Sequence, residues 1–292
     1  MSRPELQVPP DLFYNKQESR KYTSSSRIIK VQNEIAQRCI ELLNLPEDKT
    51  AYILDCGCGS GLSGQALEEA GHVWVGCDIS PSMLEVAAEQ VTGDEEGTGD
   101  LLRHDMGLGL PFNQATFDGC ISVSALQWLC YADVTGQTAK RRLTRFFSSL
   151  YTCLKRGSKA ALQFYPETPE QAVLIAQCAS AVGFMGGLVV DYPNSSKAKK
   201  YYLCLGFAGG GGGGYSAPAA LADEAAAAAG EREGVSFTKA DKPKQDKSQK
   251  RRKGPKAKGK DWVLEKKERR RAANKETRRD SKYTARKRKD KF

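Results

Sequence analysis

Histidine is almost missing from this chain: His72 and His104 are the only two in 292 residues. Cysteine is present nine times, an odd number with no even framework of spacings. Cys56 and Cys58 stand one residue apart, too close for the C-x-x-C of a zinc or redox centre. These shortages exclude an internal metal site and a disulfide scaffold, and the thiols read as reduced, which fits an intracellular compartment. A core of about 200 residues buries roughly 70% of its unfolded surface and stands without such staples. Long apolar runs are missing too. No stretch approaches the roughly 18–20 residues of a membrane-spanning helix. Met1 to Pro10 carries prolines where a secretory signal would have an apolar stretch, so no signal peptide and no membrane association are expected.

Charge is abundant but unevenly spread. Residues 239–292 hold 25 Lys/Arg against 8 Asp/Glu, whereas residues 1–238 hold 20 against 27. The net +10 is therefore an average of a mildly acidic body and a strongly basic tail. Such asymmetry points to a polyanionic partner for the tail. Lys250-Arg251-Arg252-Lys253 and Arg286-Lys287-Arg288-Lys289 are clusters of the kind used for nuclear import and nucleic-acid contact.

Residues 1–24 are polar with aromatic insertions, among them Phe13, Tyr14 and Tyr22. Ile28, Val31, Ile35, Cys39 and Leu42 recur at helical spacing, and Pro46 ends that helix. Strands are expected at 51–54, 73–77, 101–104, 117–123, 160–165, 187–192 and 201–207, and helices at 62–70, 80–91, 140–154 and 169–182. Gly71 and Gly183 stand where C-cap glycines belong, and Ser80-Pro81 reads as an N-cap followed by a first-turn proline. Strands alternating with helices imply a parallel sheet covered on both faces. Asp94 to Gly99 reads as an acidic loop. After Phe207 a glycine run (209–214) and an alanine run (225–229) read as a flexible linker. Asp261-Trp262-Val263-Leu264 is the one apolar island of the tail and opens an expected helix through Lys275. The organisation is thus an N-terminal segment and helix over the ligand site (1–49), a catalytic domain (50–207), a Gly/Ala-rich linker (208–238) and a disordered basic tail (239–292).

Ile53-Leu54-Asp55-Cys56-Gly57-Cys58-Gly59-Ser60-Gly61 carries the most information. A buried strand ends in an acid, and three alternating glycines let the backbone turn tightly and approach a ligand. The G-x-G-x-G spacing differs from the G-x-G-x-x-G that seats a dinucleotide pyrophosphate. An acid two residues earlier fits a ligand with a cationic ammonium and no phosphate. Asp78 ends the second strand, where a carboxylate meets a ribose diol. Ile79 and Met83 can flank an adenine, and Asp105-Met106 follow the third strand, where a carboxylate can accept from its amino group. Three acids at three successive strand ends form one crevice at the carboxyl edge of the sheet.

Residues 50–206 resemble class I S-adenosylmethionine-dependent methyltransferases, which implies a Rossmann-like seven-stranded sheet with a final antiparallel strand. On that resemblance S-adenosyl-L-methionine is the cofactor. Its binding set is Asp55, Gly57, Cys58, Gly59 and Gly61 by the methionine part, Asp78 and Ile79 by the ribose and adenine, Asp105 and Met106 by the adenine, and Ser122 after them.

The segment after the fourth strand, Ser122-Val123-Ser124-Ala125-Leu126-Gln127-Trp128-Leu129, lacks the Asn/Asp-Pro-Pro-aromatic run of enzymes that methylate exocyclic amines. No Pro-Cys dipeptide occurs, which disfavours cytosine-C5 chemistry. Purine N7 remains open: its in-plane lone pair carries no proton, so orientation rather than a general base supplies the acceleration. No residue is therefore expected to act by proton transfer. Trp128, Tyr165, Pro166, Tyr192 and Asn194 are the candidates for an aromatic slot that positions the acceptor.

The runs Pro10-Asp11-Leu12-Phe13-Tyr14, Gln163-Phe164-Tyr165-Pro166-Glu167, Asp191-Tyr192-Pro193-Asn194-Ser195 and Trp262-Val263-Leu264-Glu265-Lys266-Lys267-Glu268-Arg269 resemble the eukaryotic 18S rRNA (guanine-N7)-methyltransferases, the family linked to Williams–Beuren syndrome. That resemblance covers nearly the whole chain except the Gly/Ala linker. It implies methylation of one guanosine of 18S rRNA in the 40S pre-ribosome and a heterodimer with a small zinc-binding activator subunit that pairs with the sheet. It also implies a nuclear and nucleolar location, a cytoplasmic pool being left open. In that family the N-terminal segment closes over the cofactor, which would bring Tyr14 or Arg20 to the methionine carboxylate. Two other readings stay open: a small-molecule methyltransferase, which the basic tail disfavours, and a ribosome-assembly factor whose methylation is dispensable.

Overall fold

The computed structural model describes residues 3–46, 48–91, 98–131, 138–195, 197–207, 218–221 and 235–237, with Lys267, Glu268 and Arg271 of the tail. Both basic clusters, the glycine and alanine runs and residues 94–97 of the acidic loop lie outside the described residues. So does the expected tail helix, except that Lys267, Glu268 and Arg271 are helical. Two units divide at Ala240.

The strands form where apolar runs can be covered on both faces. They are β1 (Tyr52–Cys56), β2 (Val73–Asp78), β3 (Gly99–Arg103), β4 (Phe117–Val123), β5 (Leu154–Phe164), β6 (Met185–Asp191) and β7 (Lys200–Gly206). A short β8 (Val235–Phe237) completes one sheet of order β3-β2-β1-β4-β5-β7-β6-β8. The pairs from β3 to β5 are parallel, whereas β7 runs antiparallel to both β5 and β6. Seven strands are those expected, antiparallel member included. The eighth corrects the reading of 208–238 as linker alone, because Val235–Phe237 pairs antiparallel with β6. Composition gave no sign of it: three residues beyond an alanine run carry no period of their own.

Two layers of helix cover the sheet. On one face lie α3 (Ser26–Leu43), α4 (Leu62–Glu69) and α5 (Pro81–Val91), over a core that includes Ile35, Leu42, Leu43, Leu67, Trp74 and Ile121. On the other lie α6 (Ala139–Cys153) and α7 (Pro169–Val182), over Phe117, Phe146, Phe147, Leu150 and Phe164. The helix ends obey local chemistry. Ser25 caps α3, Asn44 closes it in a left-handed turn, and Thr138 and Thr168 cap α6 and α7 through their side chains. None of the nine cysteines is in a disulfide, and eight are buried, as small apolar filler.

Two segments depart from the expected organisation. Within residues 1–24, read as a polar segment, residues 3–24 hold a 3-10 turn (Pro4–Leu6), α1 (Pro10–Phe13) and α2 (Lys16–Ser24). These are too short to show an apolar period. Pro218–Leu221, inside the expected linker, is tied to the end of β6. Arg38 donates to Asp191 at 3.0 Å and to the Ala219 carbonyl at 2.8 Å, and the Leu221 amide donates to Asp191 at 2.8 Å. Asp191 is buried, and these donors satisfy it there. No helix among the described residues is long and apolar enough to cross a membrane.

Candidate cofactor and acceptor crevice

The strand order reverses between β1 and β4, and a crevice opens at the carboxyl ends of the strands there, as open α/β sheets require. Its floor is the loop after β1. Gly57, Gly59 and Gly61 all have positive φ (76°, 55° and 87°), a region that favours glycine. At Gly57 space matters as well: a Cβ there would lie 2.2 Å from the Ala125 Cβ. Gly61 works differently. It starts α4 and faces Ala87 of α5, and it is not among the residues lining the crevice.

Two lobes share Tyr22, Gly57, Gly59 and Val123. The larger, of about 680 Å³, is lined by Asp78, Ile79, Met83, Asp105, Met106 and Trp128, among others. Two carboxylates set among apolar side chains suit a nucleoside. The smaller, of about 290 Å³, is lined by Gln32, Cys58, Ser60 and Ser63 and is polar in character. Ser60 Oγ is buried there with no hydrogen-bond partner among the described residues. Such an unpaired hydroxyl beside a polar lobe fits the amino-acid end of a ligand.

Asp78 braces this floor. One oxygen accepts from the Gly59 amide at 3.0 Å and the other from the Ser80 amide at 2.8 Å. Burial nevertheless pushes its carboxyl above the usual range, against the pull of those amides. Asp55 is fully buried beneath the loop, away from the crevice lining. Ser63 donates to it at 2.5 Å, while its other oxygen has no partner among the described residues. Burial first, and then repulsion from Asp78, raise Asp55 to about 7 although the Ser63 hydroxyl opposes this. A cationic ligand group in the smaller lobe would relieve that strain. Ser122 is also buried in the sheet and donates to the Cys56 carbonyl at 2.6 Å; it binds β4 to β1 rather than lining the crevice.

Asp105 lines the larger lobe. Its Oδ1 accepts from the Gly107 amide at 2.8 Å and from Arg142 at 2.9 Å. Arg142, on α6, also donates to the Tyr131 carbonyl at 2.9 Å and, more weakly at 3.5 Å, to that of Trp128. One guanidinium thus ties Asp105 to the turn that carries the candidate acceptor residue Trp128. Sequence reasoning missed it, although a signal existed. Arg142 falls on the helical stripe of Phe146, Leu150 and Cys153, so a charge sits on the apolar face of α6.

The acceptor side is built over long sequence distances. Trp128 lies on a 3-10 turn (Leu126–Cys130) entered through Ala125, and the residue before that, Ser124, has φ of 59°. Gln163 holds that unusual backbone by accepting from both the amide and the hydroxyl of Ser124 at 2.9 Å. The N-terminal helices close over it. Tyr14 and Phe13 pack on Trp128 at centroid distances of 6.0 and 6.2 Å, and Tyr14 meets Tyr22 at 6.0 Å. Ser80 Oγ donates to the Tyr14 carbonyl at 2.8 Å, and Arg3 donates to the Tyr165 carbonyl at 3.0 Å. Burial raises the phenols of Tyr14 and Tyr22, and Glu5 adds its charge at Tyr14. Pro10, Tyr14 and Tyr22 therefore join the crevice, whereas Arg20 faces a separate groove between α2 and α5.

Of the expected acceptor residues, the crevice gathers Trp128 alone. Tyr165 stands close by, its amide donating to Gln127 at 3.4 Å. Tyr192 and Asn194 belong to the turn after β6, where the Tyr192 amide donates to the Leu221 carbonyl, and neither they nor Pro166 line the crevice. His104 lines it but is engaged with the Gly109 carbonyl. No group of three metal-ligating side chains occurs among the described residues.

Comparison with known proteins agrees with this geometry. Residues 54–162 match the model of a methyltransferase domain, and residues 207–290 match that of the methyltransferase involved in Williams–Beuren syndrome. The chain is 50% identical to the 18S rRNA (guanine-N(7))-methyltransferase of Mus musculus, covering 99% of this chain and 98% of that protein. It is 43% identical to the 18S rRNA (guanine(1575)-N(7))-methyltransferase of Saccharomyces cerevisiae, over the full length of both. Among solved structures, magnesium protoporphyrin IX methyltransferase from Synechocystis with bound S-adenosylmethionine superposes with a TM-score of 0.52. At 14% identity, over 71% of this chain and 99% of that one, this likeness speaks for the fold. The glycine loop, the strand-end acids, the class I sheet and full-length relatives at this identity together place the chain in the 18S rRNA (guanine-N7)-methyltransferase family.

Proposed function

We propose that this protein transfers a methyl group from S-adenosylmethionine to N7 of a guanosine in 18S rRNA, within the 40S precursor. The observation that carries this reading is the junction of a two-lobed, acid-lined crevice with an aromatic wall at Trp128 and no free histidine. S-adenosylmethionine, when bound, supplies an electrophilic methyl on sulfur. Asp78 would hold the ribose, Asp105 and Met106 the adenine, and Gly57, Gly59 and Ser60 the amino-acid end. The protein's own work is orientation: guanine N7 has a lone pair to donate and no proton to lose, so a stacked, water-excluded base needs position rather than a base catalyst. The relatives in mouse and yeast, named for this reaction, support the acceptor.

Residues 239–292 bring the enzyme to RNA by neutralising phosphates, a contact that positions without reading sequence. They also direct it to the nucleus and nucleolus. A small zinc-binding activator subunit pairs with the sheet and covers apolar surface, so the chain alone is poorly soluble. Mapping of N7-methylguanosine in 18S rRNA by base-specific cleavage, with and without the protein, tests the reaction; an unchanged modification refutes it. Deleting residues 239–292 should lower association with 40S precursors by at least about tenfold at physiological salt and leave cofactor affinity unchanged. Equal association without the tail refutes its role.

A further inference from the structure

A buried carboxylate oxygen near the turn of Trp128 has no hydrogen-bond partner among the described residues. Glu5, on the 3-10 turn of the N-terminal segment, accepts from the Gln127 amide nitrogen through Oε1 at 3.1 Å. Its Oε2 is buried and has no hydrogen-bond partner among the described residues. Gln127 is itself fixed, donating to the Ser124 carbonyl at 2.8 Å and accepting from the Tyr165 amide. Its neighbour in sequence is Trp128, whose ring meets Tyr14 and Phe13 of the same N-terminal segment. Glu5 is not itself among the residues that line the crevice, but its charge bears on the phenol of Tyr14, which is. A carboxylate only accepts, each of its oxygens has two lone pairs, and burying one unpaired costs free energy that a folded chain ordinarily avoids.

Resting on the guanine-N7 reading above, the geometry points to Glu5 as the residue that selects guanine, its carboxylate accepting from N1–H and the 2-amino group of a base stacked at Trp128. The chemistry is selective. Guanine presents two donors on that edge, whereas adenine presents an unprotonated N1 that would face the carboxylate oxygen lone pair to lone pair. Bases drawn out of an RNA strand are read in this way, by stacking and by hydrogen bonds to the Watson–Crick edge. The same contact serves the reaction. When N7 takes the methyl group the ring becomes cationic and its N1–H more acidic, so the hydrogen bond to a fixed anion strengthens as the new bond forms. Glu5 keeps its charge throughout, and no proton need leave.

The experiment uses the full chain, with its activator subunit, on 40S precursors from cells lacking the enzyme. Glu5→Gln should reduce methylation turnover on the order of 10²-fold, the usual size of such a charge contribution, and leave S-adenosylmethionine affinity by calorimetry unchanged. Glu5→Asp should recover part of the rate. Equilibrium titration of the same proteins, saturated with S-adenosylhomocysteine, with 7-methylguanosine and with 7-methylinosine, which lacks the 2-amino group, isolates the contact. The wild type should prefer 7-methylguanosine by roughly tenfold, and Glu5→Gln should lose that preference. Equal turnover of Glu5→Gln and wild type, or a preference for 7-methylguanosine that survives the substitution, overturns the assignment while leaving the guanine-N7 reading intact. Wild-type protein that leaves the 18S guanosine unmethylated overturns both.

Discussion

The two sides of the crevice are made in different ways. The cofactor side comes from short runs at strand ends: Gly57 and Gly59 after β1, Asp78 at the end of β2, Asp105 and Met106 after β3. Each run shapes its own backbone, and parallel register sets them side by side. The acceptor side has no such run. It needs Tyr14 from the N-terminus, Trp128 from the segment after β4 and Gln163 from β5 to meet. A local motif carries its chemistry with it. A long-range wall depends on many separate bonds holding partners more than a hundred residues apart, as Glu5 and Gln127 are.

That contrast can be broken most severely from the cofactor side. Asp78→Lys should reduce S-adenosylmethionine affinity by more than about 10³-fold, because it places a cation where two amide donors, and the ribose in the proposed binding mode, need an acceptor. Calorimetry on a variant with native circular dichroism measures this, and an affinity within threefold of wild type would remove Asp78 from the site. Asp78→Asn, which keeps one acceptor, should cost closer to tenfold.

Arg142 sharpens the comparison, because it touches both sides. Arg142→Gln leaves Asp105 without its ion pair and frees the turn bearing Trp128. Cofactor affinity and acceptor turnover should both fall, with a stability loss of about 3 kcal/mol typical of an orphaned buried charge partner. A variant that lost turnover alone, with cofactor affinity and melting temperature intact, would show that the two sides are not coupled through this side chain.

The smallest effect concerns Asp55. Its carboxyl lies at about 7 in the folded chain, above the ordinary aspartate value. The native state therefore holds a proton that the unfolded chain has released between about pH 4 and pH 7, and stability should decline as pH rises through that window and level off above it. Asp55→Asn should flatten the slope in thermal melts from pH 4.5 to 7.5. An unchanged slope would assign it to other groups.

Much of this was legible beforehand, for reasons that differ by element. Strands β1 and β2 are apolar runs that end at an acid and a glycine turn or at an acid, and α7 begins at a Thr-Pro cap and ends at Gly183, so local chemistry marks their ends. The N-terminal helices were not legible, since four and nine residues leave no room for an apolar period. Nor was the bond of Leu221 to Asp191, which joins a segment of the expected linker to β6. Ser122, Gly61 and Asp55 belong to the cofactor set expected from the sequence, but they do not line the crevice. The structure turns them to the sheet, to α5 and to Ser63.

Taken alone, the amino-acid sequence determined the class of chemistry: alternating glycines between acids admit a nucleoside with a cationic amino-acid end, and the scarcity of histidine and metal-ligand spacings leaves little else. It also separated a basic tail from an acidic body, because charge is a sum that needs no coordinates. Only the tertiary structure decided which aromatic rings face the crevice. Trp128, Tyr14 and Tyr22 do, whereas Tyr192 does not, because that choice depends on how helices from opposite ends of the chain pack against the sheet. Packing is a property of pairs, and pairs this far apart leave no spacing along the chain to read.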